Sequence, residues 1–402
     1  MPKNKRPQPR KSNPSGEDKD EAMTRSLCAL ALNLSEQEDG AKMGPQLRQQ
    51  ELDFHKLLRN ALNQKKDAVL YGAIERAQYE DVGAYQFLRG QIEEAASTIV
   101  FRREGAPAME INAFVVPLFV HGTGGLKEEQ GFQDQAAFEE LVASFQLAQL
   151  ESAKARVVLM SHAYDLDEID RITYSQLNDM VRDAYASMTD KKLSATPALE
   201  RSISGWSASA FGEQDAAVEL RFLLGFALKR LDDPFYRVPE QEDAADAYFA
   251  ARMERYRQWS DTAAALVKRC LAPAGAPLEI NFLYQDLFHG GKEQGVAEFF
   301  MLQMMADMNH ALRAAGMAAD QAKAIVAPAD VDDNMVLRVN LYAADGALLA
   351  SSEKPLDLAA DLEIEVDDIC DALATIGVRE VSVALKFDQH GAPQDERAYG
   401  LH

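Results

Sequence analysis

A chain of 402 residues, 47% hydrophobic and with a formal charge of −22, is long enough for two cores. Its acidity argues against a general binder of nucleic acid or anionic lipid. Three widely separated cysteines, Cys28, Cys270 and Cys370, form no CxxC pair or Cys/His cluster, so neither a disulfide framework nor a zinc site is expected.

The first stretch, residues 1–20, opens with Lys3, Lys5, Arg6, Arg10 and Lys11 among Pro, Asn and Ser, a composition that reads as a disordered basic arm. No apolar segment follows it as in a signal peptide, and no run of about 20 apolar residues is present. A cytoplasmic location and no membrane contact are therefore expected. Residues 21–100 read as a helical N-terminal layer. Leu47, Leu52, Phe54, Leu57, Leu58, Ala61 and Leu62 keep one apolar face, with breaks at Asp39-Gly40, Lys65-Lys66 and Asp81-Val82-Gly83.

Residues 101–232 then alternate strand and helix. Ile111 to Val120 is a nearly continuous apolar run, as in an interior strand, with Pro117 predicting a bulge or strand end. Phe138, Leu141, Val142 and Phe145 predict a helix, Val157 to Met160 a strand, Tyr174 to Met188 a helix and Val218 to Leu228 a strand, while 193–214 reads as a long loop. Residues 233–402 repeat the order. A long helix near Asp243 to Leu271 precedes a strand from Glu279 to Phe288. A Met-rich helix over Val296 to Ala314 precedes a strand at Ala324 to Ala327. A hairpin turning at Ala344-Asp345-Gly346 predicts a type I′ turn. A helix over Val366 to Ile376 and a strand over Val381 to Phe387 close the chain. The expected fold is α/β, with two related, internally duplicated halves behind the helical layer.

The duplication rests on a phrase written twice. Glu110-Ile111-Asn112 runs through Leu118-Phe119 to His121-Gly122; Glu279-Ile280-Asn281 runs through Leu287-Phe288 to His289-Gly290, 169 residues later. The two loops are the site candidates. His121, Gly122, Gly124 and Lys127 in one, and His289, Gly290, Gly291 and Lys292 in the other, offer glycines for close backbone approach and cations for an anion beyond strand carboxyl ends. The alternative is two structural turns, since neither stretch is a P-loop or a GxGxxG and no cofactor is implied.

Three further patterns have bland alternatives. His162, Asp165, Asp167, Glu168 and Asp170 suit either an oxygen-rich cation loop or the acidic first turn of a helix. The spacing is not that of an EF-hand, and no metal is expected. Gly205-Trp206-Ser207-Ala208-Ser209 approaches a nucleophile elbow but lacks a strand running into it. Met301, Met304, Met305, Met308 and Leu312 form a helical stripe that suits core packing or a partner groove.

The run Leu27-Cys28-Ala29-Leu30-Ala31-Leu32, Leu57-Leu58-Arg59-Asn60, the strand holding Pro117, Ala155-Arg156-Val157-Val158 and the segment Leu278 to Phe288 together give the chain a family likeness. It resembles a proteobacterial family catalogued as a domain of unknown function (number 2863). The resemblance implies a cytosolic protein of one architecture over most of its length, and carries over no activity, cofactor or functional residue.

The sequence does not decide between catalysis and binding. Lacking a nucleophile–base–orienter set, the chain reads first as a non-catalytic binding, regulatory or scaffold protein with a protein partner. The second reading is an enzyme or sensor for a small phosphate- or nucleotide-like anion at the His-Gly loops. The third is RNA or ribosome contact through residues 1–11 alone.

Overall fold

The computed structural model describes residues 16–36, 44–122, 126–127, 132, 134–148, 150, 154–189, 210–211, 218–233, 238–271, 278–332, 334–357, 360–388 and 390–399. Four helices come first: α1 (Gly16–Ser35), α2 (Pro45–Asn63), α3 (Asp67–Glu80) and α4 (Val82–Ser97). Each buries one stripe, such as Phe54, Leu58, Ala61 and Leu62 on α2. Asp81 starts α4 by accepting the Ala84 N–H at 2.7 Å.

The next elements are β1 (Thr98–Phe101), β2 (Met109–Gly122), β3 (Leu126–Lys127), α5 (Gln135–Ala148), β4 (Arg156–Tyr164), α6 (Leu166–Asp170), α7 (Tyr174–Thr189), β5 (Ala210–Phe211) and β6 (Glu219–Arg230). After the helix α8 (Glu242–Leu271), two short strands, β7 (Leu278–Phe282) and β8 (Asp286–Leu287), lead into α9 (Phe288–Ala315). Strands β1, β2, β6 and β4 form one sheet in that order, and β7 and β8 complete it along β2. This places 278–287 in the first sheet, so the two sheets do not part at 232/233. All its pairings are antiparallel.

β2 shows why its sequence is a continuous apolar run. Ile111, Ala113, Val115 and Phe119 face a core made with α1–α4 and α7, whereas Phe114, Val116, Leu118 and Val120 face one made with α5 and α8. Both faces of the strand are covered, so neither parity is polar. On the second face Phe145 meets Trp259 with ring centroids 4.4 Å apart. Pro117 sits in mid-strand rather than at a bulge or end. The break between β7 and β8 lies opposite it, and the Leu283 N–H donates to the Pro117 carbonyl at 2.8 Å, so that edge asks no N–H of the proline.

The second sheet contains β9 (Lys323–Val331), β10 (Asn334–Tyr342), β11 (Leu348–Pro355), β12 (Glu380–Val383) and β15 (Arg397–Ala398), in the order β11-β10-β9-β12-β15. The helix α10 (Leu362–Thr375) covers it. A minor pair joins β13 (Lys386–Phe387) to β14 (Pro393–Gln394). The α/β class is as expected, whereas the turn between β10 and β11 is not type I′. Only Gly346 has positive φ, 85°, and the loop closes by Ala343 N–H to the Ala347 carbonyl at 2.8 Å.

The two copies of the repeated phrase do not build equivalent elements. The first is one strand of fourteen residues. In the second, Gln285 and Asp286 stand where the first has Val116 and Pro117, and the strand breaks after Phe282. Asp286 turns the chain by accepting the Leu287 N–H at 2.7 Å, and α9 starts at once, eight residues before the predicted Val296.

α9 joins the sheets. At 1.5 Å per residue its 28 residues run about 42 Å. Its first half lies on β2 and β6, where a Cβ on Gly291 would stand 2.7 Å from Val115 Cγ2 and one on Gly295 2.8 Å from Pro117 Cβ. Its second half turns Met304, Met308 and Leu312 into the core of the second sheet, so the methionine stripe is packing.

Gly295→Ala is expected to lower the unfolding free energy in urea by about 1–3 kcal/mol through overpacking against Pro117 and Phe222. Gly90→Ala, with open space at its Cβ in α4, should raise it by about 0.5–1 kcal/mol. Equal effects at the two glycines would mean that α9 does not bear on the sheet.

Candidate functional site

The helical layer, the start of α9 and the end of β11 meet around an open groove of about 870 Å³. Its floor is one face of α9, from Gly290 through Val296 and Ala297 to Phe300. Leu166 and Asp170 of α6 form one wall, and Pro355, Leu356, Asp357 and Glu365 the other.

Arg89 on α4 holds the walls together. Its Nε donates to Glu93 at 2.8 Å, and its two terminal nitrogens reach Glu293 on α9 and Asp357 after β11. Tyr85 donates to the same Asp357 at 3.2 Å. Burial opposes the Arg89 charge, but Glu93 and Asp357 together hold the guanidinium cationic well above its ordinary range. The other rim cations are also matched: Lys292 lies 3.1 Å from Asp170, and Lys354 contacts Glu365. The rim thus carries Asp170, Glu293, Asp357 and Glu365 against Arg89, Lys292 and Lys354.

The sequence candidates divide sharply. Gly290 and Lys292 line this groove, and Gly291 is buried against Val115. None of them is in a loop: His289, Gly290, Gly291 and Lys292 form the first turn of α9. A Cβ on Gly290 would stand 3.1 Å from Asp286 Oδ2, so a carboxylate of the chain already sits against that helix start. His121 and Gly122 end β2 beside Glu279 and Leu278, whereas Leu287 pairs with Phe114 seven residues back along the strand. That is roughly 24 Å at 3.4 Å per residue, so the two histidines share no pocket. The expected crevice also needs parallel strands, and this sheet has none. Lys127 lies in β3, and Gly124 lies outside the described residues.

His289 is nonetheless unusual. Its Nε2 is buried without a hydrogen-bond partner, and its Nδ1 is 3.8 Å from Glu93, a carboxylate already bound to Arg89. Burial first, then Lys292 and Arg89, push its pKa down to about 3, so the imidazole is neutral in the folded protein. Beside it, burial raises the Tyr174 phenol well above its ordinary range.

The acidic loop after β4 is a helix start. Asp165 accepts the Glu168 N–H at 2.8 Å while Glu168 accepts the Asp165 N–H at 2.9 Å, a capping box on α6. His162 lies 3.1 Å from Glu168, both buried. Burial disfavours the Glu168 charge, but His162, the Asp165 N–H and Arg221 together bring its pKa below the usual value. No cluster of three metal-ligating side chains occurs among the described residues. The cysteines are free and buried, and burial pushes Cys28 to about 11 and Cys370 to about 12, away from nucleophilic use. The Gly205 to Ser209 stretch lies outside the described residues.

No family model matches the chain, and no curated protein or solved structure is significantly similar to it. The family resemblance therefore stands on the residues quoted for it. Among the described residues no helix is long and apolar enough to cross a membrane. Arg89, Asp357 and Glu365 were not singled out in the sequence. Only the i,i+4 spacing of Arg89 and Glu93 is local; the partners on α9 and after β11 are some 200 residues or more away.

Two measurements bear on this region. Arg89→Ala should lower stability by about 1–3 kcal/mol, below the value for fully buried pairs because Glu293 and Asp357 are partly exposed, and should speed hydrogen exchange in α4 and at 357 together. His289 protonates near 6.5 when unfolded but only near 3 when folded, so stability falls on acidification between these values by up to about 1.4 kcal/mol per pH unit. His289→Gln should remove that slope from urea midpoints measured at pH 3.5 to 6.5; an unchanged slope would assign it elsewhere.

Proposed function

We propose that this chain is a non-catalytic binding protein that receives a basic, partly apolar segment of a protein partner in the groove over α9. The observation that carries the reading is the groove's makeup. Apolar Val296, Ala297, Phe300 and Leu356 lie under a rim with four carboxylates and three cations, and each cation already has a carboxylate beside it.

That balance suits an incoming lysine or arginine better than an incoming anion. A cation can share Asp170 or Glu293, whose side chains are 52% and 51% exposed, without breaking the Arg89 contacts. An anion would have to displace a carboxylate from Arg89 or Lys292. The volume falls within the roughly 300–1,000 Å³ of ordinary ligand sites, and crevices between packed units are preferred places for them. The apolar floor supplies affinity and the rim supplies selection.

Fluorescence anisotropy with labelled Lys/Leu-containing peptides tests the reading. Binding is expected to weaken at least ten-fold in Ala297→Trp, which fills the floor, and a few-fold in Asp170→Asn. Failure of every basic peptide in a panel to bind the parent protein would rule the reading out. A rise in melting temperature with phosphate or nucleotides, and none with peptides, would instead favour an anion at Gly290, Gly291 and Lys292.

A further inference from the structure

We infer that the occupant of this groove is the chain's own basic segment, residues 1–15, which makes the groove self-covered and its partner site competitive. This rests on the binding reading above and names its ligand.

Charge is the first argument. Residues 1–15 hold Lys3, Lys5, Arg6, Arg10 and Lys11 and no carboxylate, a formal +5, which leaves −27 for the remainder of a chain whose total is −22. No other stretch has that complement to the rim. Pro2, Pro7, Pro9 and Pro14 add the apolar rings that a floor of Val296, Ala297 and Phe300 accepts.

Position is the second argument. These residues lie outside the described ones, but the point where they join the fold does not. α1 begins at Gly16, and Asp20 on it accepts from Lys66 Nζ at 2.5 Å. The next residue, Asp67, takes the Ser175 N–H at 2.9 Å and the Thr173 hydroxyl at 3.0 Å. Thr173 follows three residues after Asp170, the end of the groove wall. The start of α1 and the wall are thus linked through two short contacts. Asp20, Asp67, Asp170 and Glu293 mark an acidic track from one to the other.

Length is the third. Fifteen residues span up to about 50 Å, and Arg10 and Lys11 lie within about 20 Å of Gly16. The floor from Gly290 to Phe300 is only about 15 Å long. A tethered segment of this size acts at an effective concentration of order 1 mM. An intrinsic Kd near 0.1 mM would then leave roughly ten closed molecules for each open one. Because the rim is exposed, closure should weaken as salt is raised.

The test uses the full chain. Carbodiimide coupling at high dilution, followed by peptide mapping, is expected to link Lys3, Lys5 or Lys11 to Asp170, Glu293, Asp357 or Glu365 within one molecule. The links should vanish in Ala297→Trp, whose segment and rim are intact. A full-length variant with Lys3→Gln, Lys5→Gln, Arg6→Gln, Arg10→Gln and Lys11→Gln should bind an added peptide of residues 1–15 at least ten-fold more tightly than the parent. Links only between copies, links only to other acidic surfaces, or capture of the segment by RNA with no groove link would each overturn the inference. Basic peptides binding parent and variant equally would overturn it while leaving the binding reading standing. No peptide binding to either would remove both.

Discussion

The contact on which the molecule turns is the first half of α9 lying against β2 and β6. Two helical turns can approach that closely only because Gly291 and Gly295 offer no side chain to Val115, Pro117 and Phe222. The approach fixes the direction of a helix whose far end carries Met304, Met308 and Leu312 into another core. One rigid rod thereby sets the position of the second sheet on the first.

The groove follows from this arrangement. A helix that passes from one sheet to the next leaves the outward face of its middle uncovered. Here the flanking elements, α6 and the turn after β11, approach but do not close over it. Arg89 spans the gap electrostatically, because it draws carboxylates from α4, α9 and the turn after β11 to one guanidinium. Neutral His289 beneath it is consistent with the same constraint: a site already crowded by Arg89 and Lys292 has no room for a third charge.

Much of this was legible in the sequence where the cause was local. The 3.6-residue stripe of α2, the Asp81 break and the unbroken apolar run of β2 each follow from burial of particular faces. What was not legible came from pairing at a distance. The repeated phrase suggested two like strands, but strand persistence depends on what flanks Glu-Ile-Asn, and Gln285-Asp286 cannot occupy the doubly buried place of Val116-Pro117. The second His-Gly therefore became helix, and its chemistry moved from a loop to a groove floor. Pro117 was read correctly as lacking a donor, but the missing partner lay in a neighbouring strand and not in a bulge of its own. The Arg89 cluster joins residues from three parts of the chain, so no window of sequence contains it.

The pairing of β2 also sets a schedule for the growing polypeptide. Its neighbour on one side, β6, comes about 100 residues later, and β7 on the other begins 156 residues after Gly122. At about 5–20 residues per second, a ribosome needs roughly 8–30 s to supply that last strand. Until then the most apolar strand of the protein has an open edge. A chaperone that shields Ile111 to Val120 during translation would meet a need written into the order of the strands.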